Sequence, residues 1–84
     1  MLHIKVVGTG CPNCQNLERM CQEVIIENNL EGYVEKVTDI NKFAELGILM
    51  TPGLIVNDKV LSSGKIPAKG TLAHWLIEAA KQMQ

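Results

Sequence analysis

The chain has 84 residues, of which 46% are hydrophobic and 20% charged, with a formal net charge of −1. A chain this short buries only about 60% of its unfolded surface, enough for one core and not for two, so residues 1–84 are expected to form a single domain. The near-neutral charge gives no footprint for nucleic acid or anionic lipid, no apolar run approaches the roughly 18 residues of a membrane helix, and Met1 to Thr9 is too short for a signal peptide. A cytoplasmic monomer with a small-molecule or protein partner is therefore expected, with no nucleic acid and no membrane involved.

Leu2 to Val7 is a predicted strand ending at Gly8 and Gly10, where glycine allows the tight backbone of a strand-to-helix turn. From Pro12 to Asn29 the apolar positions Cys14, Leu17, Met20, Cys21, Val24 and Ile25 follow helical spacing, with Pro12 suited to the first turn and Asn28-Asn29 to the end. Tyr33 to Thr38 is a second strand. Asp39 then caps a short helix whose Ile40, Phe43 and Ala44 share one face before Gly47 stops it. Leu54-Ile55-Val56 and Lys59-Val60-Leu61 flank Asn57-Asp58, a two-residue hairpin turn whose residues both tolerate positive φ. The last helix, Ala68 to Met83, aligns Leu72, Trp75, Leu76, Ala79, Ala80 and Met83 in one stripe. The order β-α-β-α-β-β-α predicts an α/β fold: a parallel β-α-β unit first, a hairpin second, and a four-stranded mixed sheet with helices on both faces.

The three cysteines lie between positions 11 and 21, too crowded to staple a fold, so a structural disulfide framework is not expected. Cys11 and Cys14 form a Cys-x-x-Cys pair at the predicted strand-to-helix junction. Residues three apart at a helix start lie about 5–6 Å from each other, within the Cα separation a disulfide needs. If Cys11 takes the cap position, its sulfur faces the unpaired amides and positive end of the helix dipole, which favours its thiolate and makes it the expected attacking thiol. Cys14, one turn inside, is the expected resolver of the mixed disulfide that Cys11 forms. Pro12 rigidifies the turn and removes one amide donor, and Gly10 and Asn13 complete the motif. No cofactor beyond this redox-active disulfide is expected.

Two other readings of the pair stay open: two small buried hydrophobes, or half of a zinc or copper site. No metal site is expected, because neither His3 nor His74 stands at ligand spacing from another Cys or His; both histidines read as solvent-facing or satisfied. Cys21 lies about 10.5 Å further along the helix than Cys14, too far to bridge it, and reads as a core thiol. Thr51-Pro52 directly precedes the third strand. Proline fits a strand's first position without costing a ladder donor; equally, a cis bond there would leave the Thr51 main chain open to pair with a substrate peptide.

The segments Gly8-Thr9-Gly10-Cys11-Pro12-Asn13-Cys14, Val34 to Asp39, Met50-Thr51-Pro52-Gly53-Leu54 and Asn57 to Lys65, in this order, resemble the short prokaryotic thioredoxin-like proteins known as redox-active disulfide proteins, glutaredoxin-sized members of the thioredoxin superfamily. The resemblance spans Leu2 to Met83. It implies the four-stranded thioredoxin core, a cis Pro52 beside the active site, and thiol-disulfide exchange by Cys11 and Cys14 with a disulfide-containing protein or small thiol, sustained by a reductase. Two departures stand out: Gly10 replaces the aromatic residue that commonly precedes the first cysteine, and Leu2 to Val7 contains no acid where thioredoxins keep a buried carboxylate. Lys5 and His3 are the ionisable groups there. No glutathione-binding residue set carries over.

Two functions compete with an oxidoreductase. A soft-metal carrier similar to heavy-metal-associated domains also places Gly-x-x-Cys-x-x-Cys between a strand and a helix, but those domains end in a strand and have no counterpart of Thr51-Pro52. A redox-switched interaction module would use the same two sulfurs without turnover.

Overall fold

The computed structural model describes residues 1–10 and 12–82. Cys11, the expected nucleophile, and Met83, expected on the last helical stripe, lie outside the described residues. The elements are β1 (Leu2–Val7), α1 (Pro12–Glu27), β2 (Gly32–Val37), α2 (Ile40–Phe43), β3 (Gly53–Val56), β4 (Lys59–Ser63) and α3 (Lys69–Gln82). The sheet runs β2-β1-β3-β4, with β1 parallel to β2 and antiparallel to β3, and β3 and β4 joined as an antiparallel hairpin. This is the mixed four-stranded α/β architecture that the element order implies.

Alternation along the strands divides the interior in two. Leu2, Ile4 and Val6 of β1 and Leu54 and Val56 of β3 face α1 and α3, where Leu17, Cys21, Val24, Leu72 and Leu76 complete the larger core. The opposite face carries a smaller cluster of Val7, Val37, Ile48 and Ile55, covered by Phe43 and Leu46. The expected inner face of α2 is therefore corrected: Phe43 packs inward, but Ile40 is 67% exposed and Ala44 is exposed as well. With only four residues in α2, the chain beyond it, through Leu46 and Ile48, does the covering. Farther along this face, His3 stacks on Tyr33 with ring centroids 4.6 Å apart, and its Nε2 lies 3.3 Å from Glu35 Oε1, while Lys5 reaches toward Asp58 at 3.9 Å. His3 is thus satisfied locally, and His74 is solvent-exposed on α3.

Local chemistry sets the ends of the elements. α1 closes in a Schellman motif: Asn29 takes φ 54°, its amide donates to the Ile26 carbonyl, and the Leu30 amide reaches the Ile25 carbonyl. Asp39 caps α2 by accepting from the Asn41 amide at 3.0 Å. Asn57 and Asp58 both adopt positive φ, 51° and 69°, the type I′ geometry that matches the twist of the hairpin strands. Leu54 opposes Ser62 whereas Ile55 opposes Val60, so Leu61 is an extra residue on β4, a bulge that simple alternation does not foretell. Lys69, opening α3, ties that helix to α1 through Glu27 at 2.8 Å and Glu23 at 3.8 Å.

Leu17 is fully buried where α1 meets the sheet. Leu17→Ala is expected to cost about 2–5 kcal/mol through lost burial and the cavity left behind, measured as a lowered urea midpoint with an unchanged slope.

Candidate active site

β1 delivers the chain to Gly8, whose amide continues the sheet by donating to the Val37 carbonyl at 2.9 Å. Gly10 then turns the chain with φ 90°, a conformation L side chains rarely adopt, and Pro12 opens α1. The Gln15 amide group reaches back to the Gly10 carbonyl at 3.0 Å, holding the turn against the helix. Pro12 and Asn13 are exposed on the outer side of the first turn. Cys14 points inward and is only 5% exposed, in keeping with its place among the apolar positions of the helix.

Gly8 serves a different purpose from the one its turn position suggests. Its φ is not positive; what matters is the missing side chain. A Cβ at Gly8 would run into Cys14 Sγ, with Cys14 Cβ at 3.3 Å and Thr51 Cβ at 3.8 Å. Gly8 is thus the point where the first turn of α1 and the loop before β3 converge. The signal for this was present in the sequence only as a glycine six residues before a cysteine, and nothing in that spacing distinguishes a contact from a turn.

The Thr51-Pro52 bond is cis. Pro52 is buried and Thr51 exposed, and β3 begins at the next residue, where Gly53 pairs with Val7 of β1. Two bonds from the end of β4 fix this loop: the Gly64 amide donates to the Pro52 carbonyl at 2.8 Å and Ser63 Oγ donates to the Met50 carbonyl at 3.2 Å. Gly64, at φ 77°, lies so near Met50 that a Cβ would approach it to 2.8 Å. Among the described residues no hydrogen bond involves the Thr51 main chain. Sequence reading missed Ser63 and Gly64 as supports, because their partners lie more than ten residues away across the hairpin.

Beside Cys14, between α1 and β2, opens a cavity of about 130 Å³ lined by Gly8, Cys14, Gln15, Glu18, Lys36 and Thr38, among others. Glu18 Oε2 and Lys36 Nζ face each other across 3.3 Å there. Cys21 lies deeper, fully buried, and its thiol is pushed up to about 12, chiefly by burial and additionally by the Glu18 carboxylate. It is the core thiol its position implies. Among the described residues no three His, Cys, Asp or Glu side chains converge as metal ligands would, and no helix is long and apolar enough to cross a membrane.

Two measurements test this geometry. Gly8→Ala should force Cys14 and the first turn of α1 to shift, costing about 1–3 kcal/mol of stability as read from urea denaturation. Cys21 ionises near 9.0 in the unfolded chain and near 12 in the fold, so between these values the unfolded chain holds fewer protons and the stability this thiol contributes falls as pH rises. The difference in unfolding free energy between the wild type and Cys21→Ala should therefore shrink from about pH 9 upward; a constant difference contradicts the buried-thiol assignment.

The comparisons with known proteins agree with this arrangement. A family model described as a thioredoxin domain matches residues 2–77. The chain is 33% identical over 69 residues to a thioredoxin of Methanothermobacter thermautotrophicus, covering 82% of this chain and 90% of that protein. It is 35% identical over 68 residues to a thioredoxin of Methanocaldococcus jannaschii, covering 81% of this chain and 78% of that one. With the four-stranded mixed sheet, a cysteine buried in the first turn of α1 and a cis proline ahead of β3, these matches establish that the chain belongs to the thioredoxin family and is a thioredoxin-like redox protein.

Proposed function

We propose that this protein is a thiol-disulfide oxidoreductase that exchanges a Cys11-Cys14 dithiol or disulfide with a disulfide-containing protein or a small thiol. The observation that carries the reading is the burial of Cys14 against Gly8 in the first turn of α1, with Thr51 close to the same glycine. A resolving sulfur needs shelter from competing thiols and a fixed approach to its neighbour, and both follow from that packing.

In the proposed cycle the Cys11 thiolate attacks a substrate disulfide, forming a mixed disulfide and releasing one substrate thiolate. Cys14 then attacks the Cys11 sulfur, closes the Cys11-Cys14 bridge and releases the second substrate thiolate. The substrate leaves reduced by two electrons and the protein oxidised by two. A reductase or small thiol restores the dithiol, and no other cofactor enters. Cys11 directly precedes Pro12, the first residue of α1, so the amides and dipole at that helix end favour its thiolate. Pro12, Asn13 and Gly10 shape the turn. Thr51 offers an unoccupied main-chain edge to an extended substrate segment, with Pro52 holding that edge in place. In this proposal the protein acts as a monomer in the reducing cytoplasm.

Cys11→Ser should abolish reduction of insulin disulfides. Cys14→Ser should instead hold substrate as a stable mixed disulfide on Cys11, visible by non-reducing electrophoresis and mass spectrometry and released by dithiothreitol. Undiminished turnover by Cys11→Ser would overturn the reading, as would stoichiometric, tight Cu(I) or zinc binding by a reduced protein that exchanges no disulfide.

A further inference from the structure

Resolution requires Cys14 to lose a proton, and its surroundings make that difficult. Cys14 is only 5% exposed, so bulk water reaches its thiol poorly and a side chain beside it is better placed to take the proton. β1 offers no acid to take the proton: on the face turned to α1 it presents Leu2, Ile4 and Val6. The cavity beside Cys14 does offer one.

Among the described residues, two charged side chains line that cavity, Glu18 and Lys36. Glu18 follows Cys14 by four residues on α1, a spacing that stacks side chains on one face about 5–6 Å apart at Cβ. Because helical side chains lean toward the N-terminus, the Glu18 carboxylate is inclined toward the turn that carries Cys14. It is only 20% exposed, whereas Lys36, which pairs with it at 3.3 Å from β2, is 64% exposed and opens to solvent. The same carboxylate adds to the upward push that burial gives the Cys21 thiol, three residues further along α1. Among the described residues, the titratable groups around Glu18 are Cys14 and Cys21 on its own helix and Lys36 on β2, while β1 adds the apolar Val6 to the cavity lining. The cavity's 130 Å³ is enough for a few water molecules at about 30 Å³ each, so transfer over one water is sterically open.

We propose that Glu18 is the proton acceptor for Cys14 during resolution, and that Lys36 is a positioning residue that holds the carboxylate at the cavity. This rests on the oxidoreductase reading above. Glu18 takes the Cys14 proton as the Cys14 sulfur bonds to Cys11 and the Cys11-substrate bond breaks. The electron pair of that bond leaves with the substrate sulfur as a thiolate, and protonated Glu18 returns its proton to water at the cavity mouth beside Lys36.

The test uses the full reduced chain mixed with a substoichiometric amount of the aromatic disulfide 5,5′-dithiobis(2-nitrobenzoate) in a stopped-flow instrument. The first thionitrobenzoate released reports attack by Cys11 and the second reports resolution by Cys14. The wild-type second phase should vary little with pH across the neutral range. In Glu18→Gln it should slow by about 10²-fold and climb about tenfold per pH unit, because only preformed thiolate then attacks, while the first phase keeps its rate. Glu18→Asp should restore the shallow profile in part, and Lys36→Met should slow the second phase less than Glu18→Gln does. A wild-type second phase that already climbs tenfold per pH unit overturns the proposal, and so does a Glu18→Gln second phase that matches the wild type in rate and profile. Absence of both phases in the wild type would instead refute the oxidoreductase reading itself, and a first phase without a second would refute resolution by Cys14.

Discussion

The contact between the Cys14 sulfur and the backbone of Gly8 sets how closely α1 approaches the end of β1. Because Gly8 has no side chain, the first turn of the helix lies directly on the strand end, and Cys14 is carried below the surface while Pro12 and Asn13 stay outside. The same absence lets the Thr51 side chain draw near as well, so one small residue brings three parts of the chain together. A methyl group there would separate them. Close packing of this kind leaves little slack, and the sulfur's burial, the cavity beside it and the approach of the cis-proline loop all follow from it.

Around that point the supports come from distant segments. The β3-β4 hairpin fixes the Thr51-Pro52 loop through Ser63 and Gly64, so the type I′ turn at Asn57-Asp58 indirectly sets the loop's position by pinning the hairpin register. The large core beneath α1 and α3 holds the helix itself, with Cys21 as one of its fully buried members. The two described cysteines differ in environment. Cys14 borders the small cavity that Glu18 and Lys36 also line, whereas Cys21 is sealed among aliphatic side chains.

Most of the fold was legible because it rests on local periodicity. Alternating apolar residues in Leu2 to Val7, the helical stripes beginning at Pro12 and Ala68, and the Asn57-Asp58 turn each encode their element within a few residues. Boundaries moved by one or two residues: β2 spans Gly32–Val37 rather than Tyr33 to Thr38, and α1 ends at Glu27, since Asn29 forms the cap rather than a last turn. The inner face of α2 was misread because a four-residue helix is too short for its periodicity to decide which side is covered. At the site, the burial of Cys14 was legible from its place one turn inside the helix. The cis geometry before Gly53 was open on the residues alone, since an X-Pro pair at a strand start is compatible with either isomer; the family resemblance implied it, and the bond is cis. The meeting of Glu18 with Lys36 was not legible, because it depends on the parallel crossover that brings β2 alongside α1.

The His3, Tyr33 and Glu35 cluster shows how so short a chain manages with one four-residue helix on the second face of its sheet. That half of the face is left to water, and its residues suit water: an imidazole stacked on a phenol, a carboxylate beside it, and the Lys5 ammonium reaching across to Asp58. Cross-strand partners of this kind stabilise a sheet without a covering layer. The same polarity makes the surface a poor template for another sheet to stack upon, so the fold can omit an entire helix of shielding and concentrate its apolar residues on the side that supports Cys14.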